Sequence, residues 1–121
     1  MEKPNWSPAE LLQLSIGYWS ACALHAGVKL ELFTHLTTDG LTARELAEQT
    51  GADRRGLAML LNALAAMGLL VKDGERYTAT GFAGQYLART SPDYLGHIIM
   101  HHHHLMAGWA HLHEAVESGH P

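Results

Sequence analysis

The sequence has little cysteine and little charge, and both shortages limit what the protein can be. Cys22 is the one cysteine among 121 residues, which excludes an internal disulfide framework and favours the reducing cytoplasm. Charged residues make up 17%, well below the usual quarter. The net charge of −4 offers no broad basic field to DNA or to anionic lipid. The start at Met1–Pro4 lacks the basic-then-apolar pattern of a signal peptide.

Long uninterrupted apolar runs are also missing, so we expect no membrane span. Three stretches have no charged residue, at 11–28, 56–71 and 94–113. The first is broken by polar side chains such as Gln13 and His25, and the second is too short for a bilayer. The third contains seven histidines. No membrane partner is therefore predicted.

Helix-start signals, in contrast, are plentiful. Ser7–Glu10 combines an N-cap Ser, a Pro at the first helical position and a Glu at the third, and predicts a helix from Pro8 toward Ala23. Gly27 interrupts this pattern, and a second helix is expected to reach Leu36. Thr42–Glu45 is a second capping box. Asp53 can cap a further helix, whose apolar residues follow helical spacing at Leu57, Leu60, Leu61 and Leu64.

These elements predict a mainly α fold built on a winged helix-turn-helix. The two short helices are joined by a turn at Gly51. Asp73-Gly74 predicts a type I′ turn in a small β-hairpin, the wing. Thr80 caps a brief helix, and Ser91-Pro92-Asp93 begins a last helix that ends near Ser118. Extra N- and C-terminal helices, expected to serve dimerisation, flank the winged helix.

The N-terminal helices carry more apolar surface than one small domain needs. Leu12, Ile16, Tyr18 and Trp19 fall on two adjacent stripes, wider than a single packing face. Leaving several such side chains in water is costly, at about 1.5–3 kcal/mol each. We therefore predict a homodimer with these four residues at the interface. A monomer with its helices folded back on the winged helix is the alternative. Cys22 is expected to be a small buried apolar residue.

Several segments together resemble the N-terminal region of plant- and actinomycete-type O-methyltransferases. The central part of the resemblance comprises Leu41–Ala47, Thr50-Gly51, Leu57, Leu60-Leu61, Leu64, Gly68–Leu70, Gly74, Tyr77 and Thr80. Upstream it includes Leu30–Phe33 and Leu36, and downstream Trp109, Leu112, Ala115-Val116, Gly119 and Pro121. The winged helix alone is common to many regulators, whereas its combination with these flanking segments is much more specific.

The resemblance implies one winged-helix dimerisation domain over 1–121. Its parts would be dimerisation helices over 8–36, a winged helix over 41–80 and a linker helix over 91–119. S-adenosylmethionine (SAM) would be bound by a following Rossmann-like domain, with a hydroxyl of an aromatic or polyketide-like metabolite as methyl acceptor. This sequence has no Gly-x-Gly-x-Gly, and the general base of the family belongs to that other domain. We therefore expect a fragment that binds no cofactor and catalyses nothing alone.

The last helix carries an apolar stripe with two interpretations. The stripe consists of Ile98, His102, Leu105, Trp109, Leu112 and Val116, and Met106 adjoins it. Such spacing is typical of a core-facing stripe. The family resemblance favours instead one wall of a pocket for a flat acceptor, because Trp and Met offer large polarisable surfaces. The pocket residues would be His102, Met106 and Trp109.

Two other functions fit the sequence less well than the one that the resemblance implies. A helix-turn-helix suggests a DNA-binding transcriptional regulator, but the expected outward positions Ala58, Met59, Asn62, Ala65 and Ala66 suit protein packing better than DNA. His97, His101, His104 and His111 share a helix face, which suggests a metal sensor. No carboxylate or cysteine completes or orients that face, so we predict no metal site and no nucleic-acid partner.

Overall fold

The computed structural model describes residues 5–121, so the expectation about Met1–Pro4 lies outside the described residues. The helices found there are α1 (Pro8–Ser15), α2 (Tyr18–Lys29), α3 (Leu32–His35), α4 (Ala43–Thr50), α5 (Arg54–Ala66), α6 (Gly81–Leu87), α7 (Gly96–Trp109) and α8 (Leu112–Ser118). The strands are β1 (Leu41–Thr42), β2 (Leu70–Asp73) and β3 (Arg76–Ala79). The predicted mainly α, winged-helix fold class is confirmed.

Side-chain caps set the starts of the helix-turn-helix. Thr42 Oγ1 accepts a hydrogen bond from the Glu45 N–H (3.1 Å), and Glu45 Oε1 accepts one from the Thr42 N–H (3.0 Å). This is the predicted capping box, and it satisfies N–H groups that the helix itself leaves unpaired. Asp53 Oδ2 accepts from the Gly56 N–H (2.8 Å) and begins α5. Between the helices, Gly51 ends α4 with a φ of 78°, which glycine adopts without a Cβ penalty.

The wing contains one more strand than the sequence suggested. The sheet order is β1-β3-β2, and all pairing is antiparallel. Strand β1 has only two residues, too few to show an alternating pattern. The predicted type I′ turn at Asp73-Gly74 is wrong, because Asp73 pairs with Arg76 and leaves Gly74-Glu75 as the loop. Only Gly74 has a positive φ there (61°), as a type II′ turn requires.

Arg76 ties the wing to the capping box. Its Nη1 donates to the Gly40 carbonyl (2.7 Å) and to Glu45 Oε1 (3.3 Å). The pKa of Glu45 is lowered chiefly because its carboxylate accepts the Thr42 backbone N–H, and the Arg76 charge adds to the effect. The start of α4 and the hairpin are therefore held by one carboxylate.

The core lies between α2, α3, α4, α5, the sheet and α6. Its fully buried large side chains are Leu32, Phe33, Leu36, Leu46, Leu61 and Leu64. Ile99 and Met100 of α7 pack against it from outside. In contrast, α1 has no buried residue and α8 has none. The core is thus complete without the first and last helices.

The N-terminal helix break was predicted at the wrong glycine. Helix α1 ends after Ser15, and the chain turns at Ile16-Gly17, where the Gly17 N–H donates to the Leu14 carbonyl (3.2 Å). Gly27, the expected interruption, lies buried inside α2. A Cβ built there would lie 2.9 Å from Phe33 Cε2 and 3.1 Å from Leu64 Cδ1. This glycine therefore serves close packing, which a sequence pattern cannot distinguish from a break.

The predicted linker helix over 91–119 is two helices preceded by a turn. Ser91-Pro92-Asp93 forms turns, and α7 begins only at Gly96. The break between α7 and α8 follows Trp109, where His111 Nδ1 lies 2.7 Å from the Ala107 carbonyl. The His111 N–H would take that carbonyl in a continuous helix, but it donates to Gly108 instead (3.0 Å). Gly119 ends α8 with a φ of 76°, as expected.

We expect Gly27→Ala to lower the free energy of unfolding by about 1–3 kcal/mol, because the added methyl group overpacks the contact with Phe33 and Leu64. Gly81→Ala is the matched control, since a Cβ at Gly81 meets nothing within 4 Å. Urea unfolding followed by circular dichroism measures both. Equal midpoints for the two variants would contradict the close packing.

Candidate functional site

The first two helices present an exposed apolar surface, here called the N-terminal surface. It consists of Leu11, Leu12, Leu14, Ile16, Tyr18 and Trp19, all of them exposed. Trp19 keeps 58% of its area in solvent, and its ring meets that of Tyr18 edge to face at 6.4 Å. Large contiguous apolar patches are rare on soluble monomers. All four predicted interface residues lie on this surface, and their contact with a partner stays a prediction.

Cys22 was expected to be buried, but its thiol lies exposed on α2, three residues after Trp19. Helical spacing of three places both side chains on one side of the helix. The burial expectation followed from the usual behaviour of free cysteine inside a single chain. It failed because this side of α2 is outside the core of the protomer.

A second exposed surface, here called the C-terminal surface, lies on α7 and α8. It is the predicted stripe of Ile98, His102, Leu105, Trp109, Leu112 and Val116, all of them exposed. Trp109 keeps 65% of its area in solvent. The core-stripe interpretation is therefore wrong for the protomer. The side chains of α7 that turn inward are Ile99, Met100 and His103. Of the predicted pocket residues, His102 and Trp109 point outward and Met106 is half-buried.

His25 is the residue that sequence reasoning missed. It lies on α2 where α7 packs, and only 6% of it is exposed. Its ring meets that of His103 edge to face, with 5.5 Å between the centroids. Its Nδ1 is buried and has no hydrogen-bond partner in the described part of the chain. A buried polar atom without a partner is costly and uncommon. At this position the packing of α2 against α7 therefore outweighs the lost hydrogen bond of Nδ1.

The charge state of His25 follows from that environment. Burial lowers its pKa, and positive charge on His103 and then on His102 lowers it further. Both neighbours belong to α7, and α2 is also packed against α3 and α5. The α2–α7 contact is therefore built around a neutral imidazole.

The histidine run of α7 does not assemble a metal centre. No group of three His, Cys, Asp or Glu side chains is placed to hold a metal ion within residues 5–121. His97 instead packs edge to face on Tyr94, with 5.1 Å between ring centroids. No helix of the described residues is long and apolar enough to cross a bilayer.

The outward side of α5 has little to offer to DNA. Met59, Asn62 and Ala66 are exposed there, as expected, whereas Ala58 and Ala65 are half-buried. Asn62 Oδ1 is already engaged, since it accepts from the Tyr77 hydroxyl (2.6 Å) and from Lys72 Nζ (3.0 Å). Beyond Arg54 and Arg55 at its start, α5 therefore lacks the polar and basic surface that a DNA recognition helix usually presents.

These features define the class as a winged-helix domain with additional, externally apolar helices. The chain belongs to the O-methyltransferase dimerisation domain family, whose model matches residues 12–89. It is 37% identical over 93% of its length to the tetracenomycin polyketide synthesis 8-O-methyl transferase TcmO of Streptomyces glaucescens. It is 34% identical over 94% of its length to a 3-hydroxy-5-methyl-1-naphthoate 3-O-methyltransferase of Streptomyces sahachiroi. The chain spans about a third of these relatives, 34% and 33%.

Solved structures agree on the fold. An O-methyltransferase family protein from Burkholderia thailandensis superposes with a TM-score of 0.85 at 37% identity, over 93% of this chain and 33% of that one. PigF, whose structure contains SAH, superposes with a TM-score of 0.88 at 27% identity, over 94% of this chain and 38% of that one. A protein related to this chain therefore binds SAH, and this chain corresponds to 38% of its length.

We expect stability to fall as the pH drops below about 6.5, the usual pKa of histidine. The pKa of His25 is lowered in the folded chain, so the unfolded chain takes up the proton first and gains stability relative to the fold. Above that pH both states hold a neutral ring, and no penalty arises. Urea unfolding from about pH 7.5 to about pH 5 measures the effect.

His25→Leu should flatten this dependence, whereas His113→Gln, a change at an exposed histidine of α8, should leave it intact. A wild-type slope retained in His25→Leu would show that other groups control acid stability.

Proposed function

We propose that this chain is the homodimerising, acceptor-lining module of a SAM-dependent methyltransferase that modifies an aromatic or polyketide-like metabolite. One observation carries the proposal. The core closes without α1 and α8, and the two apolar surfaces stay exposed outside it. A surface of that kind is stable in water only when another surface covers it. Family membership supports a second copy of the chain as the partner, because the matching family model is that of a dimerisation domain.

The N-terminal surface is the part that a second copy would cover. Burying large side chains such as Leu12, Ile16 and Trp19 contributes about 1.5–3 kcal/mol each before the cost of association. Homodimers most often use the same patch on both subunits. The exposed aromatic rings of Tyr18 and Trp19 supply the large anchors that such interfaces prefer.

The C-terminal surface supplies the acceptor wall in this proposal. His102, Met106 and Trp109 are spaced four and three residues apart on α7, so they lie along one side of the helix. Trp109 offers a flat ring, and Met106 adapts its shape to an irregular acceptor. Two relatives carry names of enzymes that act on a polyketide and on a naphthoate, both of which fit a wall of this kind.

Methyl transfer itself would be performed by residues of a further domain. Residues 81–84 contain two glycines near the end of a strand, but they do not fit a SAM site. Strand β3 is antiparallel to both neighbours, whereas cofactor turns of this type follow a parallel strand. No catalytic step is therefore assigned to this chain. The cofactor supplies an electrophilic methyl group, and this chain contributes position and exclusion of water.

A cytoplasmic setting and the absence of a nucleic-acid partner belong to the same proposal. The exposed Cys22 thiol suits a compartment that keeps thiols reduced. Beyond Arg54 and Arg55 at its start, α5 carries no further basic residue that could contact successive phosphates of a duplex.

The dimer is tested with Trp19→Asp, which is expected to weaken association at least about a hundredfold, because it replaces a large apolar anchor of the N-terminal surface by a charge. Sedimentation analysis at micromolar concentration measures the change. Trp19 is exposed in the protomer, so the helical circular dichroism signal should persist.

Val71→Asp is the matched control, since it introduces the same charge at an exposed apolar position of the wing. Its dimer should sediment like the wild type. A wild-type monomer, or a dimer that survives Trp19→Asp, would disprove this interface.

The acceptor wall is tested in the protein that contains this chain together with its catalytic domain. Trp109→Ala should raise KM for the acceptor about tenfold, which corresponds to a loss of about 1.4 kcal/mol of contact, and leave KM for SAM unchanged. Val71→Ala serves as control. Parallel changes in both KM values, or an unchanged KM for the acceptor, would exclude Trp109 from the wall.

A further inference from the structure

A cleft of about 320 Å³ lies between α4, α5 and the β2–β3 hairpin. Besides Thr42, its polar lining consists of Arg44 from α4, Arg54 and Asn62 from α5, and Lys72, Glu75 and Tyr77 from the hairpin. None of these residues belongs to the N-terminal or the C-terminal surface. The volume is that of a small-ligand pocket, at the lower end of the usual range.

The cleft concentrates positive charge in an acidic chain. Three cations and one carboxylate line it, although the whole sequence has a net charge of −4. Two arginines outside the cleft are paired, Arg76 with Glu45 (3.3 Å) and Arg89 with Glu31 (3.2 Å), whereas Arg55 has no carboxylate within 4.0 Å in the described part of the chain. Arg44 is paired outside the cleft with Glu48 (3.6 Å).

Arg54 and Lys72 have no carboxylate within 4.0 Å in the described part of the chain. Two unneutralised cations that face one concavity leave a positive potential there, and the low-dielectric walls of a cleft strengthen it. The charge of Glu75 offsets only part of it.

A hydrogen-bond network fixes the polar groups of the cleft before any ligand arrives. The hydroxyl of the buried Tyr77 donates to Asn62 Oδ1 (2.6 Å), and Lys72 Nζ donates to the same oxygen (3.0 Å). Lys72 Nζ also lies 5.4 Å from the centre of the Tyr77 ring. Because Oδ1 is engaged twice, the amide nitrogen of Asn62 is the group left to donate to a ligand. Preorganised donors cost little entropy on binding.

We propose that this cleft binds the phosphate group of a small phosphorylated metabolite. Arg54 offers a guanidinium fork that matches phosphate oxygens, and Arg44 adds the guanidinium nitrogens that Glu48 does not engage. Lys72 adds a point charge, and Asn62 adds a neutral donor. Donors on three sides suit a tetrahedral anion with several acceptor oxygens better than a planar carboxylate. A nucleic acid is a less suitable ligand than a small phosphorylated metabolite. The adjoining outward positions of α5, Met59 and Ala66, offer no charge or hydrogen-bond donor to successive phosphates of a strand. This site is independent of the proposed methyltransferase function.

The test is an NMR titration of the uniformly labelled chain with inorganic phosphate and with pyrophosphate at constant ionic strength. Saturable shifts are expected at the amide groups of Asn62, Lys72 and Tyr77. The double variant Arg54→Gln/Lys72→Gln should raise the apparent Kd for pyrophosphate at least about tenfold, because two charge-assisted contacts are removed. Both side chains are exposed, so the thermal midpoint should stay close to that of the wild type.

Arg55→Gln is the matched control, since Arg55 is the exposed neighbour of Arg54 and does not line the cleft. Its Kd should stay within about twofold of the wild type, which is what screened surface charges produce. Three results would overturn the proposal. The first is the lack of a saturable shift at millimolar pyrophosphate, and the second is an equal loss of affinity in Arg55→Gln. The third is that the chain binds duplex DNA through Arg54 and Lys72 with a higher affinity than it binds pyrophosphate.

Discussion

The contact between Gly27, Phe33 and Leu64 is the constraint on which the rest of the structure depends. It lets α2 approach α3 and α5 closely, because a Cβ at Gly27 would lie 2.9 Å from the Phe33 ring. Phe33 and Leu64 are fully buried at the centre of the core. The C-terminal half of α2 is thereby fixed to the winged helix. The N-terminal half of the same helix, with Tyr18 and Trp19, extends beyond the core and stays exposed.

The distribution of apolar area follows from this anchoring. A chain of 121 residues buries only part of its surface, and here the buried part is concentrated in α3, α5, the sheet and α6. Helices α1 and α8 contribute no buried residue, yet α1 contains three leucines and α8 contains Leu112 and Val116. Such a division between a closed core and apolar outer helices is characteristic of a module that completes its packing in an assembly.

Local signals in the sequence predicted the winged helix well, because capping is a local interaction. The Thr42 capping box, the Asp53 cap and the Thr80 cap all involve groups within three residues of one another. The errors arose where long-range packing or rerouted hydrogen bonds decide. Gly27 was taken for a break because its partner Phe33 is visible only in three dimensions, and the bend at His111 depends on a ring that competes for the Ala107 carbonyl.

In the candidate site, too, local spacing predicted which residues share a helix face, whereas tertiary packing decides where that face lies. Helical spacing found the stripe that contains Trp109, but spacing alone cannot say whether a stripe faces the core or the outside. The stripe that contains Trp109 is exposed because Ile99 and Met100 occupy the inward side of α7. His25 gave no usable signal, since one histidine in an apolar helix looks like an interruption. Burial of its Nδ1 requires α7 to lie on top of it.

Helix α2 links the two apolar surfaces through this histidine contact. One side of α2 carries Trp19 toward the N-terminal surface, and another side carries His25 against His103 of α7. Helix α7 in turn carries Trp109 on its outer side. A shift of α2 on assembly would therefore be transmitted to α7, because closely packed helices move as units rather than deforming continuously. In the proposed dimer, the position of the acceptor wall would then depend on the partner subunit as well as on the chain that carries it.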